Sequence, residues 1–152
     1  MTGVTLTYGA VSVDFSSSTA RLNKFNHRFT NALIPITTPQ KDTPLSLSEG
    51  VGTNTIVMNI GFITHTIDLV FTLKDGPGTF DFLSPTTNYE KIIYMASFPR
   101  NVKTITLNGG SSPKSYNCQI SSVNIPWDEG KKDLMSGTMS VMLCKDVVMG
   151  SA

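Results

Sequence analysis

Two histidines, two cysteines and a scatter of carboxylates are what this 152-residue sequence offers to acid–base, metal or nucleophilic chemistry. His27 lies in a polar stretch. His65 falls on the apolar parity of an alternating segment, where a half-buried, hydrogen-bonded strand histidine is a commoner role than ligand or base. Neither Cys118 nor Cys144 has a histidine near it in sequence, and no Cys-x-x-Cys, His-x-His or His-Glu-x-x-His spacing occurs. The sequence therefore predicts no metal site and no cofactor. Asp81 with Glu90, or Asp128 with Glu129, could be imagined as an acid–base pair, but acidic residues at turns and helix starts have backbone reasons to be there. Ser111, Ser112 and Ser115 flank a turn without the Gly-x-Ser-x-Gly elbow of a nucleophile. Gly50-Val51-Gly52 lacks the preceding strand, third glycine and following helix of a dinucleotide-binding turn. The reading is of a protein that is not an enzyme.

Composition points away from a charged partner. Twelve basic and 11 acidic residues leave a net charge of +1, too small for a field that attracts nucleic acid or an anionic membrane. Only 15% of residues are charged, against about a quarter in an average protein. The polar surface must come from Thr, Ser and Asn, which suits exposed strand faces and leaves little charge to keep copies apart. No apolar run reaches the roughly 18 to 20 residues of a membrane helix. The opening MTGVTLTYGA lacks the basic and apolar regions of a signal peptide. Two cysteines in predicted strands fit a reducing compartment and two buried thiols, although neighbouring strands would let them meet.

These side chains would be positioned by strands. The strongest pattern is Asn54 to Gly76, read as two strands back to back with Gly61 as a place to turn or bulge. In its second half Ile63, His65, Ile67, Leu69, Phe71 and Leu73 share one parity, and Thr64, Thr66, Asp68, Val70 and Thr72 share the other. Val4 to Phe15 is a strand whose apolar parity switches at Gly9-Ala10, marking a bulge, bend or turn. Residues 16–33 read as a long irregular loop in which Arg21, Lys24 and Arg28 interleave with Phe25, His27 and Phe29. A short strand at Leu33 to Thr37 would be an edge because Pro35 lies in it. Residues 38–53, rich in Pro, Ser and Gly, read as a second loop.

Lys74-Asp75-Gly76-Pro77-Gly78 is a turn, Thr79 to Leu83 is short and extended, and a helix follows from Thr87 to Ser97. Thr87 and Glu90 have capping-box spacing there, and Tyr89, Ile92, Ile93 and Ala96 share a face. Val102 to Leu107 and Tyr116 to Ser122 form a hairpin around Asn108-Gly109-Gly110. A parity shift at Ser122-Val123 marks another bulge or bend. A charged tip after Trp127 leads to a last strand, Leu134 to Lys145. The chain is thus expected to be one mainly β domain over 1–152, an antiparallel sandwich or barrel with one short flanking helix and a flexible tail at 147–152.

That order resembles the tail-tube family of tailed viruses and related injection machines, which includes distal-tail proteins and the ring domains of tail hubs. The resemblance runs from about Val4 to Leu143. It rests on the opening strand, the long loop, the central pair closing at Lys74-Asp75-Gly76, the single helix, and closing strands around Tyr116-Asn117-Cys118-Gln119-Ile120 and Met139-Ser140-Val141-Met142-Leu143. It implies a self-assembling virion protein: hexameric rings stacked into a conduit for DNA that passes without sequence recognition. It also implies contacts with other tail or baseplate proteins, and assembly in the host cytoplasm. On that basis Arg21, Lys24, Phe25, Arg28, Phe29, Leu45, Leu47 and Trp127 are candidate contacts between subunits. Thr64, Thr66, Asp68, Val70 and Thr72 are candidate lumen-facing positions. The alternative is a non-enzymatic β-sandwich that binds carbohydrate or nucleic acid through Trp127, Tyr116 and the Arg21 to Arg28 segment.

Overall fold

The computed structural model describes residues 3–37, 55–128, 130 and 133–145. The second predicted loop, with Leu45 and Leu47, and the tail at 147–152 lie outside the described residues. The element order is β1 (Gly3–Tyr8), β2 (Val11–Asp14), β3 (Ala20–Thr37), β4 (Thr55–Leu73), α1 (Asn88–Ala96), β5 (Lys103–Asn108), β6 (Lys114–Asn124) and β7 (Met135–Leu143). Among the described residues the chain is mainly β with a single short helix, as its patterning predicts. The strands form one seven-stranded sheet in the order β2-β1-β5-β6-β7-β4-β3.

Alternation explains most of the register. The parity switch at Gly9-Ala10 is a two-residue turn that sets Tyr8 opposite Val11 and Leu6 opposite Val13. The hairpin around Asn108-Gly109-Gly110 pairs Leu107 with Lys114 and Lys103 with Cys118. The predicted irregularity in β6 is a register shift against β7 between Ile120 and Ser122, after which Val123 rather than Ser122 carries the apolar parity. Along β4, Ile67, Leu69, Phe71 and Leu73 are fully or almost fully buried and pair with Val141, Met139, Gly137 and Met135 of β7. A Cβ at Gly137 would stand 3.0 Å from the Phe71 ring, so that strand position has room only for glycine.

The core lies on one face of the sheet, where Val4, Leu6, Val13, Phe15, Ile105, Cys118 and Val141 join the β4 row and Ile92 and Met95 of α1. The sheet curls over this core. Phe15, just past β2 at one end of the strand order, stacks at 5.2 Å on Phe71, and its carbonyl accepts a 2.9 Å hydrogen bond from Leu22 N of β3 at the other end.

The helix forms as its capping box predicts. Thr87 accepts from Glu90 N while Glu90 reaches back to the Thr87 N–H, and Asp75 adds a second acceptor for the first turn through Asn88 N at 2.9 Å. Its buried stripe is Asn88, Ile92 and Met95. The predicted face, Tyr89, Ile92, Ile93 and Ala96, is therefore rotated by about one residue: Tyr89, Ile93 and Ala96 are only half-buried. Capping hydrogen bonds bury Asn88 and Glu90 and turn the helix with them.

Three expectations are corrected. Residues 20–33 are not an irregular loop but belong to the 18-residue strand β3. They show no simple alternation for two reasons. Leu22 and Phe25 both pack on the core, so parity slips once between them, and the rest of that stretch is mostly exposed. The central segment is not two strands but one, β4, which runs unbroken through Gly61 at φ +85, a backbone conformation that glycine adopts freely. Thr79 to Leu83 is not a strand but part of an irregular connection in which Phe80 has φ 57.

Contacts group the chain into two compact units, Met1–Arg28 with His65–Ala152, and Phe29–Thr64. The first unit contains the core just described. The described part of the second is the later part of β3 and the earlier part of β4.

Candidate assembly surface

The side chains of the 29–64 unit follow a different rule from those of the core. Among its described residues there is no Asp, Glu, Lys or Arg, from Phe29 through Thr37 and from Thr55 through Thr64. Its large apolar side chains meet water: Phe29 is 63% exposed, Leu33 51%, Val57 57% and Ile63 66%, with Ile34, Ile36, Met58 and Ile60 between 41% and 44%. Leu33 and Ile34 are sequence neighbours, as are Val57 and Met58, so both strand faces carry apolar residues. With about 200 Å² for a fully exposed large side chain, the eight present on the order of 800 Å², the share one partner contributes to a standard-size protein interface.

In the first unit, the face of β4 opposite the core is polar and cross-linked. Asn23 Nδ2 donates to Thr72 Oγ1 at 2.6 Å, and Thr72 lies 3.4 Å from Ser136 Oγ. Arg28 Nε stands 3.3 Å from Asp68 Oδ2, and Ser140 Oγ donates to Asp68 Oδ1 at 2.7 Å. These are two rungs that tie β3, β4 and β7 together. The Ser140 hydroxyl and the Arg28 guanidinium hold the Asp68 carboxyl below its ordinary pKa against a smaller opposing effect of desolvation.

The sequence-predicted site residues divide among these regions. Arg21 and Lys24 are exposed on β3, Phe25 packs on the core, and Arg28 is engaged with Asp68. Phe29 lies in the apolar unit, and Trp127 is 44% exposed in the β6–β7 turn, 5.9 Å from the Phe80 ring. Of the candidate luminal positions, Asp68 and Thr72 carry the two rungs and Thr66 is buried at 6% exposure. Val70 lines an open groove with Asn124, Pro126, Ser136, Gly137 and Thr138, while Thr64 belongs to the 29–64 unit.

Sequence reasoning missed a second cluster. Phe80, Phe82, Tyr89 and Trp127 form a chain of ring contacts at 5.9 to 6.4 Å, and Leu83 beside them is 87% exposed. The aromatic spacing in Thr79-Phe80-Asp81-Phe82 is a visible signal of it, although the same residues also fit the short extended segment that the sequence predicts. Also missed was Lys103, buried at 1% exposure. Its ammonium donates to Phe98 O and, at 2.6 Å, to Gln119 Oε1, and lies 5.6 Å from the centre of the Tyr8 ring. Burial lowers its pKa. Its parity with the buried Ile105 was the available clue.

The potential chemistry is sparse. Burial pushes the Cys118 thiol up to about 12, which leaves it protonated and a poor nucleophile. Cys118 and Cys144 are not joined in a disulfide. Neither the groove at Val70 nor a second open groove lined by Ile93, Ala96 and residues 120–123 includes a His, Cys, Asp or Glu. His27 and His65 come together across β3 and β4, with Nδ1 and Nε2 2.8 Å apart. Burial, and then the neighbouring His27, lower the pKa of His65. No helix among the described residues is long and apolar enough to cross a membrane.

No model of a known protein family matches the chain, and no curated protein matches it in sequence. Solved structures do match in fold. A chain from the virion of a native gene transfer agent particle aligns over 97% of this chain and 95% of its own length, with a TM-score of 0.52 at 7% identity. A chain from the tail of an empty gene transfer agent particle with C6 symmetry covers 89% and 86%, with a TM-score of 0.47 at 8% identity. The SPP1 Dit protein, a hub adsorption protein of phages that infect Gram-positive bacteria, covers 93% of this chain and 50% of its own, with a TM-score of 0.49 at 10% identity. The last two are looser likenesses. The first shows that this chain, over nearly its whole length, has the fold of a gene transfer agent virion protein.

Proposed function

We propose that this protein is a non-enzymatic structural subunit of a virion, built into a tail tube or tail-tip ring by contacts between copies of itself. The observation that carries this reading lies in the described residues of the 29–64 unit, 29–37 and 55–64: eight large apolar residues are exposed on both strand faces, with no charged side chain among those residues. A surface of that area and composition on a soluble protein calls for a partner, and another copy is the partner that the shared fold with a virion chain favours. Stacked hexameric rings are the finer form of the reading, with the polar, rung-tied face of β4 toward a central channel through which DNA passes. Few fixed charges on that face would let a polyanion slide without adhering.

Negative-stain microscopy of the purified chain tests this. Rings or tubes of uniform diameter are expected, and a field of small single particles across concentrations, in near-physiological salt, would overturn the reading.

A further inference from the structure

We infer that His27 and His65 form a cross-strand chelate for a divalent transition metal of the zinc, nickel and copper group. The pair is held by the sheet. His27 on β3 and His65 on β4 meet side by side, with ring centres 5.0 Å apart and Nδ1 facing Nε2 at 2.8 Å. The Phe25 ring packs edge-on against His27 at 4.7 Å. His27 is exposed and His65 is half-buried, so a hydrated ion can reach the pair without unfolding the strand.

The two facing nitrogens share one proton between two lone pairs. If His27 keeps its proton on Nε2 and His65 on Nδ1, both lone pairs point into the same gap, and a cation satisfies them together. Two bonds of about 2.0–2.1 Å meeting at a tetrahedral angle would hold the nitrogens roughly 3.3 Å apart, about half an ångström wider than they stand. Small rotations of the rings suffice. Imidazole is the ligand that suits zinc, nickel and copper, whereas magnesium and calcium prefer oxygen. Among the described residues no group of three or more His, Cys, Asp and Glu could hold a metal ion, so the pair is proposed as a two-ligand site. The expected affinity is accordingly micromolar, well below that of a closed structural site.

The charged groups around the pair set its pH dependence. Burial, and then the neighbouring His27, lower the pKa of His65. The adjacent Arg28 and Asp68 are paired with each other on the opposite face of the strands. Acid protonates the imidazoles and expels the metal, because two imidazolium groups cannot share the gap.

The test is calorimetric titration of the tag-free full chain with zinc chloride, and separately with nickel chloride, at pH 7.5 and 5.5. One ion per chain is expected, with affinity at least tenfold weaker at pH 5.5 and a higher melting temperature in the presence of metal. His27→Ala and His65→Ala should each weaken binding at least tenfold. Cys144→Ser and Arg28→Ala should leave it unchanged. Absence of saturable binding at pH 7.5, retention of affinity in either histidine variant, or loss of affinity with Cys144→Ser would overturn the inference. Far-UV circular dichroism of each variant checks that the sheet is intact, and His65→Gln provides a second, milder variant if His65→Ala unfolds.

Discussion

Residues 65–73 and 57–63 belong to one unbroken strand, and they meet water in opposite ways. From Ile67 to Leu73 every second residue is buried at 0–1% exposure, and the intervening Asp68 and Thr72 are tied into polar rungs. Earlier in the strand, Val57, Met58, Ile60 and Ile63 are each 41–66% exposed regardless of parity. Alternation is imposed where a core lies on one side and water on the other. A strand that is apolar on both sides and free of charge lacks that asymmetry, and on the proposed reading another subunit supplies the missing cover. On that reading, the difference separates residues that fold the subunit from residues that would join it to the next.

Substitution can break the comparison at either end. The largest effect is expected in the core half: Phe71→Ala removes a ring packed on Phe15 and Gly137 and should destabilise the chain by about 3–5 kcal/mol in urea unfolding. Ile63→Ala, in the other half, should change subunit stability by less than about 0.5 kcal/mol. A comparable loss at both positions would erase the distinction.

Intermediate effects belong to the helix start. Thr87→Ala removes the N-cap and should cost about 1 kcal/mol. Burial alone would raise the Glu90 carboxyl's pKa, but hydrogen bonds from Thr87, Asp81 and Thr86 bring the net shift downward. A carboxyl lowered in the folded state adds stability that is complete above its unfolded value, about 4.3, and is lost as pH falls through the lower folded value. Glu90→Gln should flatten the fall in stability over that acidic window, as measured by melting temperature against pH. The smallest effect is expected at the rung: Arg28→Ala opens a partly exposed ion pair and should cost under about 1 kcal/mol, less in high salt.

Legibility in the sequence follows the same division. The register of β4, the turn at Gly9-Ala10, the irregularity in β6 and the capping box were all readable, because each is written in local periodicity or turn chemistry that the core reinforces. Strand β3 was not. Its parity slips between Leu22 and Phe25, Asn23, Asn26 and Arg28 are exposed, and Pro35 interrupts its apolar end, so neither period shows. The His27–His65 contact was equally invisible, since it depends on β3 being a strand that lies beside β4. Trp127 is legible in the sequence as a candidate contact between subunits, but its packing against Phe80 is not, since the two are far apart in the chain.

The most direct test of the central claim is light scattering on size-separated protein, comparing the native chain with Val57→Glu/Ile63→Lys. The account predicts oligomers of defined mass for the native chain, and a monomer with an unchanged urea midpoint for the variant. A native chain that stays monomeric at high concentration, or a variant that assembles as well as the native chain, would contradict it.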